Sequence, residues 1–198
     1  MSSGTKNKKD SKSNSINCNN NNNDNSGSTN RPKLVAFDLD GTLWSPEMYQ
    51  LWGSGGSPFI VDSQGTMTDC GGVEIRLIGE TRQILKELQT DKWKKTKIAY
   101  VSCTDEPVWA DELLRKFDIG SSNTTLKSVC DFEEIYKANK QRHFISLKDR
   151  SGCEFSEMLF FDNERGNCTQ VGTLGVKCVY CPDGLTAEAW KEGIAMFQ

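Results

Sequence analysis

A run of apolar residues that ends on two closely spaced carboxylates constrains the fold of this chain most strongly. The stretch 34–37 is uniformly apolar, and Asp38 and Asp40 follow, with Gly41 and Thr42 directly behind them. The run is too short and too apolar for an amphipathic helix, so it predicts a buried strand of a parallel sheet. Open α/β sheets bind ligands at the carboxyl ends of such strands. The two acids are therefore candidates to hold a divalent cation and leave one carboxylate for chemistry.

The rest of the sequence alternates between predicted strands and helices. Apolar runs predict further strands over residues 97–101, 126–129, 158–161 and 176–180. Helical spacing of apolar residues predicts helices over residues 81–89, 107–117, 140–150, 166–174 and 186–197. Strands that alternate with helices imply right-handed crossovers. We therefore expect an α/β fold, a doubly wound parallel sheet with helices on both faces.

The segment between the first strand and residue 77 is irregular. Residues 53–58 are rich in glycine and serine, whereas residues 73–77 alternate apolar and polar side chains as a half-buried strand does. Roughly thirty residues are too few for an independent domain. We expect a short hairpin flap that projects over the crevice, and no large cap domain.

Composition separates a tail from a single domain. Residues 1–30 consist mostly of Asn, Ser, Lys and Gly, and they cannot bury enough surface to offset their ordering entropy. We expect a disordered tail, followed by one domain over residues 31–198. The net charge of -3 argues against nucleic acid or an anionic membrane as a partner, and we expect a monomer.

The spacing of the cysteines gives no compact disulfide framework. The N-terminus lacks the apolar centre of a signal peptide, so we expect a cytoplasmic protein whose eight cysteines are thiols. Cys178 and Cys181 form a lone CxxC, which a zinc site would have to complete with two more ligands. His143 is the only histidine, and we interpret the pair as a strand end and the following loop.

Polar residues follow the predicted strands at points that a parallel sheet brings to one edge. Ser102 and Thr104 come after the second long strand, and Asp162 and Asn163 come after a later one. Lys140 begins a predicted helix nearby. Together with the two acids of the first strand, these residues converge on one crevice. Such a set suits phosphoryl transfer.

The segment Asp38-Leu39-Asp40-Gly41-Thr42 matches the DxDGT signature of the haloacid dehalogenase-like phosphatases. With Leu43-Trp44 and the later Phe160-Phe161-Asp162-Asn163-Glu164, the chain from residue 31 to 197 resembles the magnesium-dependent phosphatase-1 family. The resemblance implies a Rossmann-like core, Mg²⁺ as cofactor and a phosphomonoesterase that works through an aspartyl-phosphate intermediate. It implies phosphotyrosine or small sugar phosphates as substrates.

The resemblance also implies roles for individual residues. Asp38 is the expected nucleophile, and Asp40 is the expected general acid, which later activates water. Ser102, Cys103 and Lys140 are the expected contacts to the substrate. The expected metal ligands are Asp38, Asp40 through its main-chain carbonyl, Asp162 and Asn163. Lys137 is a competing candidate for the phosphate-binding lysine.

Two positions depart from the pattern of the family. Asn163 replaces the second acid of its FFDDE motif, so we expect the affinity for Mg²⁺ to be lower but not lost. Cys103 stands where members often carry arginine, which leaves the choice between phosphotyrosine and sugar phosphates open. If Asn163 weakened the metal site severely, the protein would be a phosphate-binding scaffold without turnover.

A cysteine-dependent phosphatase is the remaining alternative. Cys70 and Arg76 have the C-x5-R spacing of such enzymes, whose intervening backbone curls around phosphate. Val73, Ile75 and Leu77 alternate as in a strand, which straightens that loop. The strand pattern favours chance spacing.

Overall fold

The computed structural model describes residues 1, 31–120 and 124–198, and its α-helices and strands alternate from residue 74 to residue 195. The predicted disordered tail lies outside the described residues, apart from Met1. The strands are β1 Leu34–Phe37, β2 Trp44–Ser45, β3 Ile60–Val61, β4 Met67–Thr68, β5 Glu74–Leu77, β6 Lys97–Ser102, β7 Phe132–Ile135, β8 Met158–Asp162 and β9 Lys177–Tyr180.

The helices are α1 Thr81–Leu88, α2 Pro107–Lys116, α3 Lys140–Ser151, α4 Arg165–Gly172 and α5 Ala187–Ala195. Single turns of 3₁₀ helix occupy Met48–Leu51, Asp91–Trp93, Lys127–Val129 and Phe155–Glu157. None of the helices in the described part of the chain combines the length and the apolar character that crossing a bilayer requires.

Within the described residues, five strands form one parallel sheet in the order β7-β6-β1-β8-β9. The central strand β1 pairs with β6 and β8, so that Ala36 lies opposite both Ala99 and Phe160. From β1 the chain builds one half of the sheet through β6 and β7 and the other through β8 and β9. The doubly wound parallel sheet is confirmed, and its order reverses beside β1, where such sheets open a ligand crevice.

The two faces of the sheet carry two separate cores. Phe37 and Phe161 point to the face covered by α1, α2 and α5, and their rings stack with centroids 5.5 Å apart. Ala36 and Phe160 point to the opposite face, where Phe144 of α3 packs on the Phe160 ring at 4.8 Å. Because helices cover both faces, the central strand has no polar alternation, which explains the uniformly apolar run at 34–37.

The segment between residues 44 and 77 forms a small antiparallel sheet in the order β2-β5-β4-β3. Met67 and Ile75 are buried in the core that α2 covers, and Phe59 packs edge-to-face on Trp109 of α2 at 6.3 Å. The absence of a large cap is confirmed for the described residues. Four short strands replace the single predicted hairpin, and their sheet packs against the core. The part of this segment that lines the crevice is the 3₁₀ turn between β2 and β3 with its two flanking residues.

The prediction of a strand over Leu126–Val129 was wrong. Lys127–Val129 is a 3₁₀ turn, and the strand is β7, six residues further along than predicted. Thr125 and Ser128 exchange side-chain to main-chain hydrogen bonds, which close a turn and compete with strand pairing. The sequence pattern did not indicate β7 because the strand contains acidic residues. One of them, Glu134, is buried and forms an ion pair with Arg150.

Candidate active site

A cavity of about 220 Å³ opens at the carboxyl ends of the central strands, beside the reversal of strand order. It brings together most of the residues predicted from the sequence. The lining includes Asp38, Asp40, Ser102, Cys103, Lys140 and Asn163. Asp162, at the end of β8, has no exposed surface. The convergence of distant strand ends is therefore present in the structure.

The turn after β1 directs two carboxylates into this cavity. The main-chain N–H of Asp38 continues the pairing with β8 by donating to the carbonyl of Phe161 at 2.9 Å. Gly41 then has a φ of +71°, and a Cβ at this position would lie 2.2 Å from Nδ2 of Asn163. Only glycine fits both the backbone conformation and the close approach. The tight turn keeps Asp38 and Asp40 at the same cavity.

Lys140 reaches the floor of the cavity, where it is 1% exposed. Its Nζ donates to Oδ1 of Asp38 and, at 2.7 Å, to the carbonyl of Val101, and lies 3.4 Å from Oδ2 of Asp162. Burial alone would lower the pKa of Lys140, but the charges of Asp38 and Asp162 outweigh burial and raise this pKa. A permanently charged ammonium therefore lies between two carboxylates.

The start of α3 explains why Lys140, and not Lys137, occupies the floor. Asn139 caps the helix, since its side chain accepts a hydrogen bond from the N–H of Arg142 at 2.9 Å. The cap places Lys140 in the first turn, beside the strand ends. Lys137 lies outside the helix, and its mostly exposed side chain pairs with Asp105 at 2.5 Å.

Asp162 is held by a neighbour that the sequence analysis missed. Nδ2 of Asn167, in the first turn of α4, donates to both carboxylate oxygens at 3.0 and 3.2 Å. The N–H of Glu164 donates to Oδ1 at 2.7 Å. Burial, and then the charge of Asp38, raise the pKa of Asp162, while Lys140 opposes the shift. A sequence signal could have identified Asn167: it is a polar residue in the first turn of the helix that follows an acidic strand end.

Asp40 has the properties that acid–base chemistry requires. The indole Nε1 of Trp44 donates to its Oδ1 at 2.7 Å and fixes the carboxyl group. Burial, and then the charge of Asp38, raise the pKa of Asp40 to about 7, although the Trp44 hydrogen bond opposes the shift. Such a carboxyl group can release and recover a proton near neutral pH.

Ser102 and Cys103 form the wall that ends β6. The Oγ of Ser102 accepts a hydrogen bond from the N–H of Thr104 at 3.2 Å, which leaves the hydroxyl hydrogen to donate. Burial raises the pKa of the Cys103 thiol, although the charge of Lys140 opposes the shift. A protonated thiol is a weak nucleophile, so this cysteine fits a contact role.

The hydroxyl of Thr42 links Asp38 to Asn163. It lies 3.2 Å from Oδ2 of Asp38 and 3.3 Å from Oδ1 of Asn163, and it accepts a hydrogen bond from the main-chain N–H of Asn163 at 3.0 Å. Glu47, which the sequence analysis also missed, lies beside the Asn163 amide. Burial and the charge of Asp38 raise the pKa of Glu47, and a hydrogen bond from Asn163 opposes the shift.

The donor atoms at this cavity fit magnesium. In the ranges that the structure describes, no group of three His, Cys, Asp or Glu side chains is placed to bind a metal alone. The available donors are the carboxylates of Asp38 and Asp162 with main-chain and amide oxygens. Mg²⁺ commonly takes one or two carboxylates and completes its octahedron with water and phosphate, whereas zinc sites need several His or Cys ligands.

The cysteine alternatives do not match the geometry. Cys70 is exposed in a turn of the small sheet, and Arg76 lies on the extended strand β5. No phosphate-binding curl joins them, in agreement with the predicted strand. Cys178 lies in β9 and Cys181 follows it, as expected, and the cysteines within the described residues are free thiols.

Comparison with known proteins identifies the family. Residues 30–198 match the family model described as Acid Phosphatase. Human Magnesium-dependent phosphatase 1 is 36% identical over 166 residues, which are 84% of this chain and 87% of that protein. A HAD-like hydrolase superfamily protein of Schizosaccharomyces pombe is 33% identical over 152 residues, covering 73% of this chain and 83% of the relative.

The fold is shared with solved structures of much lower sequence identity. A HAD family enzyme from Bacteroides thetaiotaomicron, solved as a magnesium complex, has a TM-score of 0.58 at 11% identity, with 81% of this chain and 98% of that chain covered. The sheet order, the sequence match over the whole domain and the shared fold agree with one another. The chain belongs to the magnesium-dependent phosphatase-1 family of the haloacid dehalogenase-like superfamily.

Proposed function

We propose that the protein is a magnesium-dependent phosphomonoesterase in which Asp38 accepts the phosphoryl group. The observation that carries the proposal is the setting of the Asp38 carboxylate. One oxygen accepts from Lys140, the other faces Thr42 at 3.2 Å, and the carboxylate lines the cavity beside Asp40. An oriented anion next to a buried cation and a proton donor is the arrangement that nucleophilic phosphoryl transfer needs.

In the first step a carboxylate oxygen of Asp38 bonds to phosphorus as the bond from phosphorus to the leaving oxygen breaks. Asp40 gives its proton to that leaving oxygen. Lys140 and the Ser102 hydroxyl donate hydrogen bonds to the phosphoryl oxygens. Asp38, Asp162 and the carbonyl of Asp40 would hold Mg²⁺, which would supply the positive charge that lets a carboxylate approach a phosphate.

In the second step the aspartyl phosphate is hydrolysed. Asp40, now ionised, takes a proton from a water molecule whose oxygen attacks phosphorus. The bond between Asp38 and phosphorus breaks, inorganic phosphate leaves and both carboxyl groups return to their starting states.

The residues at the mouth of the cavity favour small substrates that contain a ring. Tyr49 and Trp52 line it and are 55% and 57% exposed, with their rings edge-to-face at 6.5 Å. The indole Nε1 of Trp52 donates to Oε1 of Glu106 on the opposite wall at 3.1 Å. The cavity equals roughly seven water volumes, enough for a phosphate and one ring. We infer that phosphotyrosine is the preferred class, with small sugar phosphates as the alternative.

The second candidate function is phosphate binding without turnover. Asn163 favours it, because this position lacks the acid of the family motif. Hydrolysis of p-nitrophenyl phosphate, measured with Mg²⁺ and with a chelator, separates the two candidates. We expect turnover that the chelator abolishes and added Mg²⁺ restores.

A Cys70→Ser variant tests the cysteine alternative in the same assay, and we expect it to retain full activity. Activity that persists in excess chelator contradicts the magnesium-dependent proposal. Phosphate binding without any turnover in Mg²⁺ favours the scaffold.

A further inference from the structure

A carboxylate from a distant part of the chain lies against the asparagine that replaces the missing acid. A Cβ at Gly41 would be 2.2 Å from Nδ2 of Asn163 and 3.2 Å from Oε1 of Glu47, so both atoms lie on the same side of this glycine. Glu47 also lines the cavity that contains Asp38 and Asp40. Its carboxyl group therefore belongs to the same cavity as Asp38 and Asp40, two of the expected metal ligands.

The hydrogen bonds determine how the Asn163 amide is turned. Nδ2 of Asn163 is the amide atom that lies with Oε1 of Glu47 beside Gly41, and an amide nitrogen can donate to a carboxylate. The amide oxygen faces the Thr42 hydroxyl at 3.3 Å. Asn163 thus serves as a neutral connection between Thr42 and Glu47.

Local structure holds Glu47 in this position. It precedes the 3₁₀ turn Met48–Leu51, and its main-chain N–H donates to Oε1 of Gln50 at 3.0 Å. The N–H of Gln50 in turn donates to the main-chain carbonyl of Glu47 at 3.0 Å, which closes the turn. The turn places the half-buried Glu47 side chain at the cavity.

We propose that Glu47 supplies, through space, the negative charge that Asn163 lacks, and so maintains the affinity of the site for Mg²⁺. The inference rests on the proposed function, since it assumes that Asp38 and Asp162 bind this cation. A carboxylate that lies near a divalent cation without binding it still attracts the cation, in proportion to the product of the two charges. At the separations found within one small cavity, this attraction corresponds to about a three- to tenfold change in affinity.

The test is calorimetric titration of substrate-free protein with Mg²⁺. Glu47→Gln keeps the shape and the accepting oxygen but removes the charge, and we expect it to weaken Mg²⁺ binding about three- to tenfold. Adding Asn163→Asp to that variant returns a carboxylate to the same neighbourhood. We expect the double variant to bind Mg²⁺ within about twofold of the wild type.

Glu192→Gln is the matched control, because it removes the same charge from an exposed position on α5, outside the cavity. It should leave Mg²⁺ binding unchanged, and the melting temperatures of all variants should agree. Wild-type affinity in Glu47→Gln overturns this inference alone, as does a loss that Asn163→Asp fails to restore. A wild-type protein that binds no Mg²⁺ overturns the proposed function together with this inference.

Discussion

The floor and the mouth of the cavity are built in different ways. The floor consists of Asp38, Lys140 and Asp162, which are almost fully buried and come from elements packed in the core. The mouth presents Tyr49 and Trp52, which are more than half exposed on and beside a single 3₁₀ turn. Core packing fixes the floor, whereas a few polar contacts fix the mouth. The chemistry and the substrate selection that we propose therefore reside in separate structures.

The most severe test of the floor is Asp38→Asn. A neutral amide is a poor nucleophile, so we expect kcat to fall about 10⁵-fold or more. The measurement is steady-state hydrolysis of p-nitrophenyl phosphate, with mass spectrometry to exclude deamidation. A rate close to that of the wild type contradicts the assignment of the nucleophile.

Asp40→Asn should have the next largest effect, about 10² to 10⁴-fold in kcat for an alkyl phosphate, whose leaving oxygen needs a proton. p-Nitrophenolate leaves without protonation, so with the nitrophenyl ester the first step should survive. Rapid-mixing kinetics should then show a burst of one p-nitrophenolate per enzyme, followed by slow turnover. Slow turnover with no burst contradicts the second role of Asp40 in hydrolysing the intermediate.

Substitution of two lysines in turn compares the contribution of a buried ion pair to stability with that of an exposed ion pair. Lys140→Met leaves the carboxylates of the floor without their cation, and we expect a loss of about 3–5 kcal/mol in the free energy of unfolding. Lys137→Met removes only the surface pair with Asp105 and should cost less than about 1 kcal/mol. Urea unfolding in the presence of a chelator gives both values. Equal losses contradict the conclusion that Lys140 is the buried counter-ion on which the floor depends.

Substitutions at the mouth should have small effects on ligand binding, limited to ligands that carry a ring. We expect Trp52→Ala to weaken binding of phenylphosphonate about two- to tenfold, because an aromatic contact is lost, and to leave methylphosphonate binding unchanged. Calorimetry with both ligands in Mg²⁺ measures the difference. Ile145→Ala, at an exposed position of α3, is the control and should affect neither ligand. Equal weakening of both phosphonates contradicts a role in ring recognition.

The difference between floor and mouth also explains what could be predicted from the sequence. Asp38, Asp162 and Lys140 follow buried strands or begin a helix, and a parallel sheet must bring such ends together. Glu47 and Trp52 lie in a segment without periodicity, so no pattern marks them. Trp52 donates its hydrogen bond to Glu106, which is 54 residues further along the chain, and only the tertiary structure reveals such a contact.

In the proposed mechanism, the contact between Lys140 and Asp38 gives the ammonium an anionic partner at every stage of turnover. Before the reaction, the carboxylate of Asp38 is the counter-ion of the ammonium. Once Asp38 bonded to phosphorus, its oxygens would lose their formal charge and the transferred phosphoryl group would become the counter-ion. Hydrolysis of the aspartyl phosphate would restore the Asp38 carboxylate as the counter-ion of Lys140. Lys140 can therefore exchange anions without changing protonation or leaving the interior, and no stage exposes a buried charge without an opposite one.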